Sequence, residues 1–230
     1  MHTTALIVAA GAGLRMGAEI PKAFLDLAGR PLVEYSLRAF GTHPLVNAVI
    51  LMVPAERVEE AALISRRVPR VAAVEPGGAR RQDTVLKGLD AVARSLPEGA
   101  GEEDVLVLVH DAARPLVEAD LITAVVEAAS ISGAAVPGLR PADTVRRVGY
   151  GTVDREGLVL TQTPQGFRLA LLREAFAHAG GRDVTDDAAL VELLGHPVTI
   201  VAGSPRNLKV TTRDDFDVAA ALVAWTGKER

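Results

Sequence analysis

The apolar run Val-Leu-Val-Leu-Val at residues 105–109 constrains the fold of this chain more than any other feature. No polar residue interrupts the run, so the strand it predicts is buried on both faces. Such strands occur in parallel sheets covered by helices on each side. Other largely apolar runs at 6–10, 47–53 and 71–74 alternate with segments of helical periodicity. This alternation predicts a doubly wound α/β fold with a mostly parallel sheet.

Three loops that follow predicted strands carry the chemistry-bearing residues. Ligands of doubly wound sheets bind beyond the carboxyl ends of the strands, so loops 10–22, 75–84 and 110–115 should converge on one site. The first loop contains Gly11 and Gly13, where backbone N–H groups can approach an oxyanion closely, together with the cations Arg15 and Lys22. We interpret it as a phosphate-binding loop. A Gly-rich turn with solvated cations is the alternative.

The glycine spacing excludes two familiar phosphate-binding loops. A Walker loop requires Gly-Lys-Ser/Thr at the start of a helix, and a dinucleotide fingerprint requires Gly-x-Gly-x-x-Gly with an acidic residue after the second strand. Here the glycines are Gly11, Gly13 and Gly17, no Lys-Ser/Thr follows, and the second strand ends in Val53-Pro54.

Two charged residues near predicted strand ends are further candidates. Asp111 follows the buried run, where a carboxylate can hold Mg²⁺ together with water and phosphate oxygens. Its alternative role is structural, in capping a turn or pairing with Arg114, which itself needs a partner, such as a nearby carboxylate, if buried. Lys209 lies within 206–212, which we predict as a last strand. It needs a counterion there, unless it faces outward at an edge.

The segment 137–162 interrupts the strand–helix alternation. It contains Gly149, Gly151 and Gly157 among charged residues and short β-like pieces. We predict a β-arm that leaves a single domain formed by 1–136 and 163–230 and requires a partner surface for order. A mobile insertion is the alternative.

Composition narrows the function classes. The chain has 230 residues, no cysteine and a net charge of −4, with its basic residues dispersed. Thiolate chemistry is excluded, and duplex nucleic acid is not expected as a partner. No apolar run reaches the roughly 18 residues of a membrane span, and the first residues lack a signal-peptide pattern, so we expect no membrane partner and a cytoplasmic location.

The motifs together resemble the 2-C-methyl-D-erythritol 4-phosphate cytidylyltransferases of the non-mevalonate isoprenoid pathway. The first motif alone is typical of nucleotidyltransferases in general, whereas the combination is more specific. The resemblance covers nearly the whole chain and is carried by AAGAGLRMG with PK (9–17 and 21–22), GGARRQDTVLKGL (77–89), VHDAARP (109–115), DTVRR (143–147), VDREGLVLTQTPQ (153–165), VTDDA (184–188) and NLKVT (207–211).

The resemblance implies a role for each matching residue. It implies a nucleotidyltransferase sheet with a protruding arm, Mg²⁺ on Asp111, and a homodimer in which Arg155 of the arm reaches the partner's site. It also implies that Arg15, Lys22 and Lys209 are the catalytic residues. The nucleotide contacts would come from Ala10, Gly11, Ala12, Gly13, Gly78, Thr84 and Asp111, and the acceptor contacts from Thr144, Arg155, Thr163 and Thr185 beside Lys209.

The implied reaction joins CTP and 2-C-methyl-D-erythritol 4-phosphate and releases pyrophosphate, by in-line attack of the acceptor phosphate on the α-phosphorus. Thr84 stands where the family usually has Ser, and Ala79 where an acidic residue can occur. Ribitol 5-phosphate is an alternative acceptor, because related enzymes share the scaffold. A non-catalytic nucleotide-binding protein is the alternative from another class.

Overall fold

The computed structural model describes residues 1–11 and 20–226, which fold around one large mixed sheet. Its strands are β1 (His2–Val8), β2 (Asp26–Leu27), β3 (Arg30–Pro31), β4 (Ala48–Val53), β5 (Val71–Pro76), β6 (Val105–Asp111), β7 (Ala134–Leu139), β8 (Arg146–Arg147), β9 (Gly151–Thr152), β10 (Leu160–Thr161), β11 (Gln165–Arg168) and β12 (Thr199–Ala202). Its α-helices are α1 (Leu32–Gly41), α2 (Val58–Ser65), α3 (Arg81–Arg94), α4 (Ala119–Ser132), α5 (Leu169–Ala179), α6 (Asp187–Leu193) and α7 (Arg213–Thr226).

The main sheet has the order β10-β7-β11-β6-β1-β4-β5, with β12 also paired to β7. Strands β6, β1, β4 and β5 are mutually parallel, as predicted. Strand β11 lies antiparallel between β6 and β7. It joins the two halves of the sheet, and the alternation of strands and helices did not indicate it because it is only four residues long.

Side chains of the central strands are buried on both faces of the sheet, which explains the unbroken apolar run. Leu106 and Leu108 of β6 belong to the hydrophobic core on one face. Val105, Val107 and Val109 belong to the core on the other. Helices therefore cover both faces, as the sequence predicts for a parallel sheet.

The register of the parallel strands brings their carboxyl ends level. Val8 of β1 lies opposite both Met52 of β4 and Asp111 of β6. Residues 9–11, 76–78 and 111–115 consequently leave the sheet at the same edge. The predicted convergence of the three loops is confirmed for the residues that the structure describes.

The predicted last strand at 206–212 is wrong. This segment is irregular, although the amide of Val210 donates to the carbonyl of Ala113 at 2.8 Å. The Asp215 carboxylate accepts hydrogen bonds from the amides of Thr211 and Thr212, each at 2.8 Å. The segment therefore leads into α7, and the Thr212 hydroxyl caps this helix by accepting from the Asp215 amide at 3.2 Å.

Residues 140–159 leave the main sheet and include the small β8–β9 hairpin. Apolar side chains at its tip are exposed, with Val148 95% and Tyr150 84% accessible. The arm therefore presents apolar surface to solvent.

Among the described helices, none has the length and apolar character needed to cross a membrane.

Candidate functional site

A cleft at the carboxyl edge of the sheet gathers residues from five separate parts of the chain. The ends of β1 and β6 with the residues that follow them, residues 22–23, the Gly78 turn with the start of α3, and Lys209 line it. The charged lining residues are Lys22, Arg80, Arg81, Asp111 and Lys209, and Ala10, Gly11, Gly78 and Thr84 line it as well.

Asp111 is the carboxylate at the centre of this cleft. It ends β6 and is only 7% exposed. One carboxylate oxygen, Oδ1, accepts from Arg81 Nε at 2.9 Å, and Oδ2 accepts from Lys209 Nζ at 2.6 Å. Burial alone would raise the pKa of Asp111, but Arg81 and Lys209 outweigh it and hold the pKa well below its usual range. Asp111 is therefore ionised throughout the neutral range.

Arg81 holds a second buried carboxylate that sequence reasoning missed. Its Nη2 lies 2.9 Å from Asp187 Oδ2, and the Asp187 side chain is 1% exposed. Burial raises the pKa of Asp187, and the charge of Arg81 opposes that rise. The side chains of Asp187, Arg81, Asp111 and Lys209 thus form a continuous row of alternating charge.

Local structure explains why Arg81 and Asp187, rather than Arg80 and Asp186, join this row of charges. Each is the first residue of a helix, α3 and α6 respectively. The preceding residues occupy the N-cap positions of these helices. The Arg80 amide donates to the Asp83 carboxylate at 3.1 Å, and the Asp186 carboxylate accepts from the Ala189 amide at 3.1 Å. The only sequence signal was therefore a pair of like charges at each predicted helix start.

Thr163 and His110 connect the end of β6 to the segment that follows the arm. The Asp111 amide donates to Thr163 Oγ1 at 3.1 Å, and this hydroxyl lies 3.1 Å from His110 Nδ1. His110 Nε2 is 3.1 Å from the Arg114 carbonyl. Burial lowers the pKa of His110 to about 4, so the ring is neutral, with Nδ1 accepting and Nε2 donating.

The Gly77-Gly78 turn lies tightly against α3 and the first strand. A Cβ on Gly77 would sit 2.3 Å from Ala10 Cβ, and one on Gly78 would sit 2.4 Å from Asp83 Cβ. The Gly78 amide donates to Thr84 Oγ1 at 2.9 Å, and that hydroxyl lies 3.1 Å from the Arg80 carbonyl. The structure therefore brings Gly78 and Thr84 together, and the turn has no room for larger residues.

The first loop is described only in part. Ala10 and Gly11 line the cleft, and Lys22 Nζ donates to the Val210 carbonyl at 2.5 Å. The predicted contributions of Ala12, Gly13 and Arg15 lie outside the described residues.

None of the four threonine and arginine residues predicted to bind the acceptor lines this cleft in the single chain. Thr163 is buried behind it, where its hydroxyl accepts from the Asp111 amide. Thr144 and Arg155 are exposed on the arm, where Arg155 donates to the carbonyls of Pro141 and Ala142. Thr185 is exposed just before α6. Arg114 has a hydrogen-bond partner, as predicted, but the acceptor is a carbonyl: its Nη1 donates to the Asn207 carbonyl at 2.7 Å.

The carboxylate of the cleft suits a metal ion that takes most of its ligands from water and substrate. Among the described residues, no group of three or more acidic or histidine side chains could enclose a metal ion. Asp111 is the single carboxylate lining the described cleft. Mg²⁺ commonly binds through one or two carboxylates, with water and substrate phosphates completing its shell. Asp111 therefore fits Mg²⁺ bound together with a nucleotide.

Comparisons with known proteins agree with this geometry. The family model for IspD, 2-C-methyl-D-erythritol 4-phosphate cytidylyltransferase, matches residues 3–224. The protein of that name from Geobacillus kaustophilus is 42% identical, over 97% of this chain and 98% of its own. The bifunctional enzyme IspD/IspF from Desulfotalea psychrophila is 42% identical over 93% of this chain, which spans 55% of that longer protein.

A solved structure supports the same assignment. The crystal structure of 2-C-methyl-D-erythritol 4-phosphate cytidylyltransferase from Thermus thermophilus is 41% identical, with a TM-score of 0.75, over 96% of this chain and 98% of that one. Sequence and fold thus agree along almost the full length. The chain belongs to the 2-C-methyl-D-erythritol 4-phosphate cytidylyltransferase family and is a nucleotidyltransferase of the non-mevalonate isoprenoid pathway.

Proposed function

We propose that this protein transfers CMP from CTP to 2-C-methyl-D-erythritol 4-phosphate and releases pyrophosphate. The observation that carries the proposal is the contact of Asp111 with both Arg81 and Lys209 in a cleft that Lys22 also lines. These three cations outnumber the two carboxylates, Asp111 and Asp187, that contact Arg81 and Lys209, which leaves a surplus of positive charge. Such a cleft suits two anionic substrates that must approach each other.

The chemistry requires no general base. A phosphate monoester has a second pKa of about 6, so the attacking oxygen is already anionic at neutral pH. His110 is unsuited to that task, because it is fully buried, neutral and engaged through both ring nitrogens. Catalysis then rests on positioning the substrates and stabilising the charge of the transition state.

On the nucleotide side, the backbone N–H groups of residues 10–13, with Arg15 and Lys22, bind the triphosphate. Gly78 and Thr84 recognise the cytosine. The Thr84 hydroxyl supports this assignment by holding the Gly78 amide at 2.9 Å. Asp111 holds Mg²⁺, which supplies further positive charge beside the phosphates when it is bound.

On the acceptor side, Lys209 and Thr163 belong to the same chain as the nucleotide site. Thr185 lies on the loop before α6, and Thr144 and Arg155 come from the arm of a second copy. We assign residues 1–136 and 163–230 to the nucleotidyltransferase domain and 137–162 to the dimer-forming arm. The exposed apolar residues of its hairpin support this assignment, because they require cover in solution.

The experiment measures pyrophosphate release from CTP and Mg²⁺ with and without 2-C-methyl-D-erythritol 4-phosphate. We expect acceptor-dependent release that Lys22→Ala abolishes and Arg66→Ala, at an exposed position outside the cleft, leaves unchanged. Release only with ribitol 5-phosphate would reassign the acceptor. CTP binding without release in either case would overturn the catalytic proposal.

A further inference from the structure

The irregular segment 203–210 carries Lys209 into the cleft with little support from backbone pairing. Among the described residues, its main-chain amides donate to main-chain carbonyls outside the segment at two points, Gly203 to Gly138 at 3.0 Å and Val210 to Ala113 at 2.8 Å. Six residues lie between these two points. Their position must therefore come mainly from side-chain contacts.

Gln162, the residue directly after β10, supplies those contacts to one half of the segment. Its side chain is buried, with 5% of the residue exposed. Its amide nitrogen donates to the Ser204 carbonyl at 2.9 Å, and its amide oxygen accepts from the Ser204 amide at 3.1 Å. The two groups thus form a reciprocal pair that resembles the exchange between neighbouring strands.

The same glutamine extends its contacts to Asn207, two residues before Lys209. Gln162 Nε2 lies 3.4 Å from the Asn207 carbonyl, and Gln162 Oε1 lies 3.4 Å from Asn207 Nδ2. Asn207 is fully buried, and its Nδ2 also donates to the Thr163 carbonyl at 2.8 Å. Both ends of the turn are therefore tied to Gln162 and its neighbour.

The absence of a side chain at residue 203 leaves space for this arrangement. A Cβ on Gly203 would lie 2.9 Å from Gln162 Oε1 and 3.0 Å from the Gly138 carbonyl carbon. A larger residue would consequently push the glutamine amide away from Ser204.

We propose that Gln162 is a positioning residue that sets the place of the Lys209 ammonium in the cleft. It touches neither Asp111 nor the lining of the cleft, and acts through Ser204 and Asn207. The inference rests on the role of Lys209 in the proposed function. Shifts of about 1 Å in a positioned group can lower turnover by up to 100-fold.

The test is a double-mutant cycle with Gln162→Leu and Lys209→Ala, measuring kcat and KM for the acceptor. Leucine has a similar size but offers no hydrogen bonds. We expect about a tenfold loss of kcat/KM in the otherwise native enzyme, the size expected for the hydrogen bonds of one buried amide. In the Lys209→Ala background the further loss should be below about twofold, because the cation to be positioned is gone.

Two further variants keep the test sharp. Gly203→Ala should reproduce the loss and fail to add to that of Gln162→Leu. Asn47→Ala removes an amide that accepts from the Thr3 amide at 2.8 Å, near the opposite end of β1, and should leave kcat/KM unchanged. Thermal melting of each variant identifies any that does not fold. If Gln162→Leu does not fold, Gly203→Ala replaces it in the double-mutant cycle.

The outcomes separate this inference from the proposed function. If Gln162→Leu lowers kcat/KM equally with and without Lys209, Gln162 has a merely structural role. That result would overturn this inference and leave the proposed function standing. Full activity of Lys209→Ala would overturn the role of Lys209 and the inference with it. A native enzyme without acceptor-dependent pyrophosphate release would instead reject the proposed function.

Discussion

Lys209 Nζ lies 2.6 Å from Asp111 Oδ2, although 98 residues separate the two along the chain. The lysine side chain is 42% exposed, whereas that of Asp111 is 10% exposed. The ammonium therefore faces both a buried carboxylate and the open cleft. This geometry lets one cation hold Asp111 in place and still meet an incoming phosphate.

Lys209→Ala should lower kcat/KM for the acceptor by about 100-fold or more, since loss of one preorganised donor to developing charge costs about 2.7–4 kcal/mol. Steady-state pyrophosphate release measures the effect. The matched control is Arg213→Ala, which also removes a cation. The Arg213 side chain is 77% exposed and contacts Asp217 and the Phe216 ring. A Lys209→Ala enzyme as active as Arg213→Ala would contradict the prediction.

Arg81→Ala should lower the free energy of unfolding by about 3 kcal/mol at pH 7, because it leaves the buried Asp187 carboxylate without its counter-charge. Urea unfolding measures the change. Adding Asp187→Asn should restore part of the stability but not the turnover, since Asp111 still lacks Arg81. The neighbouring Arg80 is the control: its pair with Asp83 is exposed, and Arg80→Ala should cost less than about 1 kcal/mol. Equal losses from the two arginines would refute the buried-pair account.

His110 should make the protein less stable as the pH falls from about 6.5 towards about 4. Burial lowers its pKa from 6.5 to about 4 in the folded state, so within this window the unfolded chain binds a proton that the folded chain does not. The loss approaches roughly 3 kcal/mol at the lower end. Urea unfolding at several pH values, compared between the native protein and His110→Gln, isolates this contribution. Parallel pH profiles for the two proteins would contradict it.

Mixing two inactive variants tests whether Arg155 serves the partner's site. Arg155→Ala and Lys209→Ala should each be nearly inactive alone. Heterodimers formed by co-expression should regain activity, because one site then combines an intact Lys209 with an intact arm from the other chain. If Arg155 acts within its own chain, each heterodimer site carries one defect and no activity returns. Co-expression of Arg155→Ala with Arg155→Lys controls for expression and assembly.

Much of the fold could be predicted because its signals are local. Apolar runs identified the parallel strands β1, β4, β5 and β6. Because the carboxyl ends of parallel strands lie at one edge of the sheet, the loops that follow them were expected there. The need of Lys209 for a counterion was also predictable, and Asp111 provides it. The prediction of a strand at 206–212 was wrong because side chains occupy backbone groups that a strand would use for pairing. Asp215 accepts from the amides of Thr211 and Thr212, and Gln162 donates to the Ser204 carbonyl.

Arg81 and Asp187 illustrate what sequence reasoning could not reach. The chain shows only Arg-Arg at 80–81 and Asp-Asp at 186–187, and successive residues of a helix point about 100° apart. Which member of each pair joins the buried row of charges depends on where the helix begins. The sequence by itself determined the family, the strand–helix order and the loops that meet, because these follow from the pattern of neighbouring residues. Tertiary structure decided which charges pair and how Lys209 is held, because those contacts depend on distances that exist only after the chain has folded.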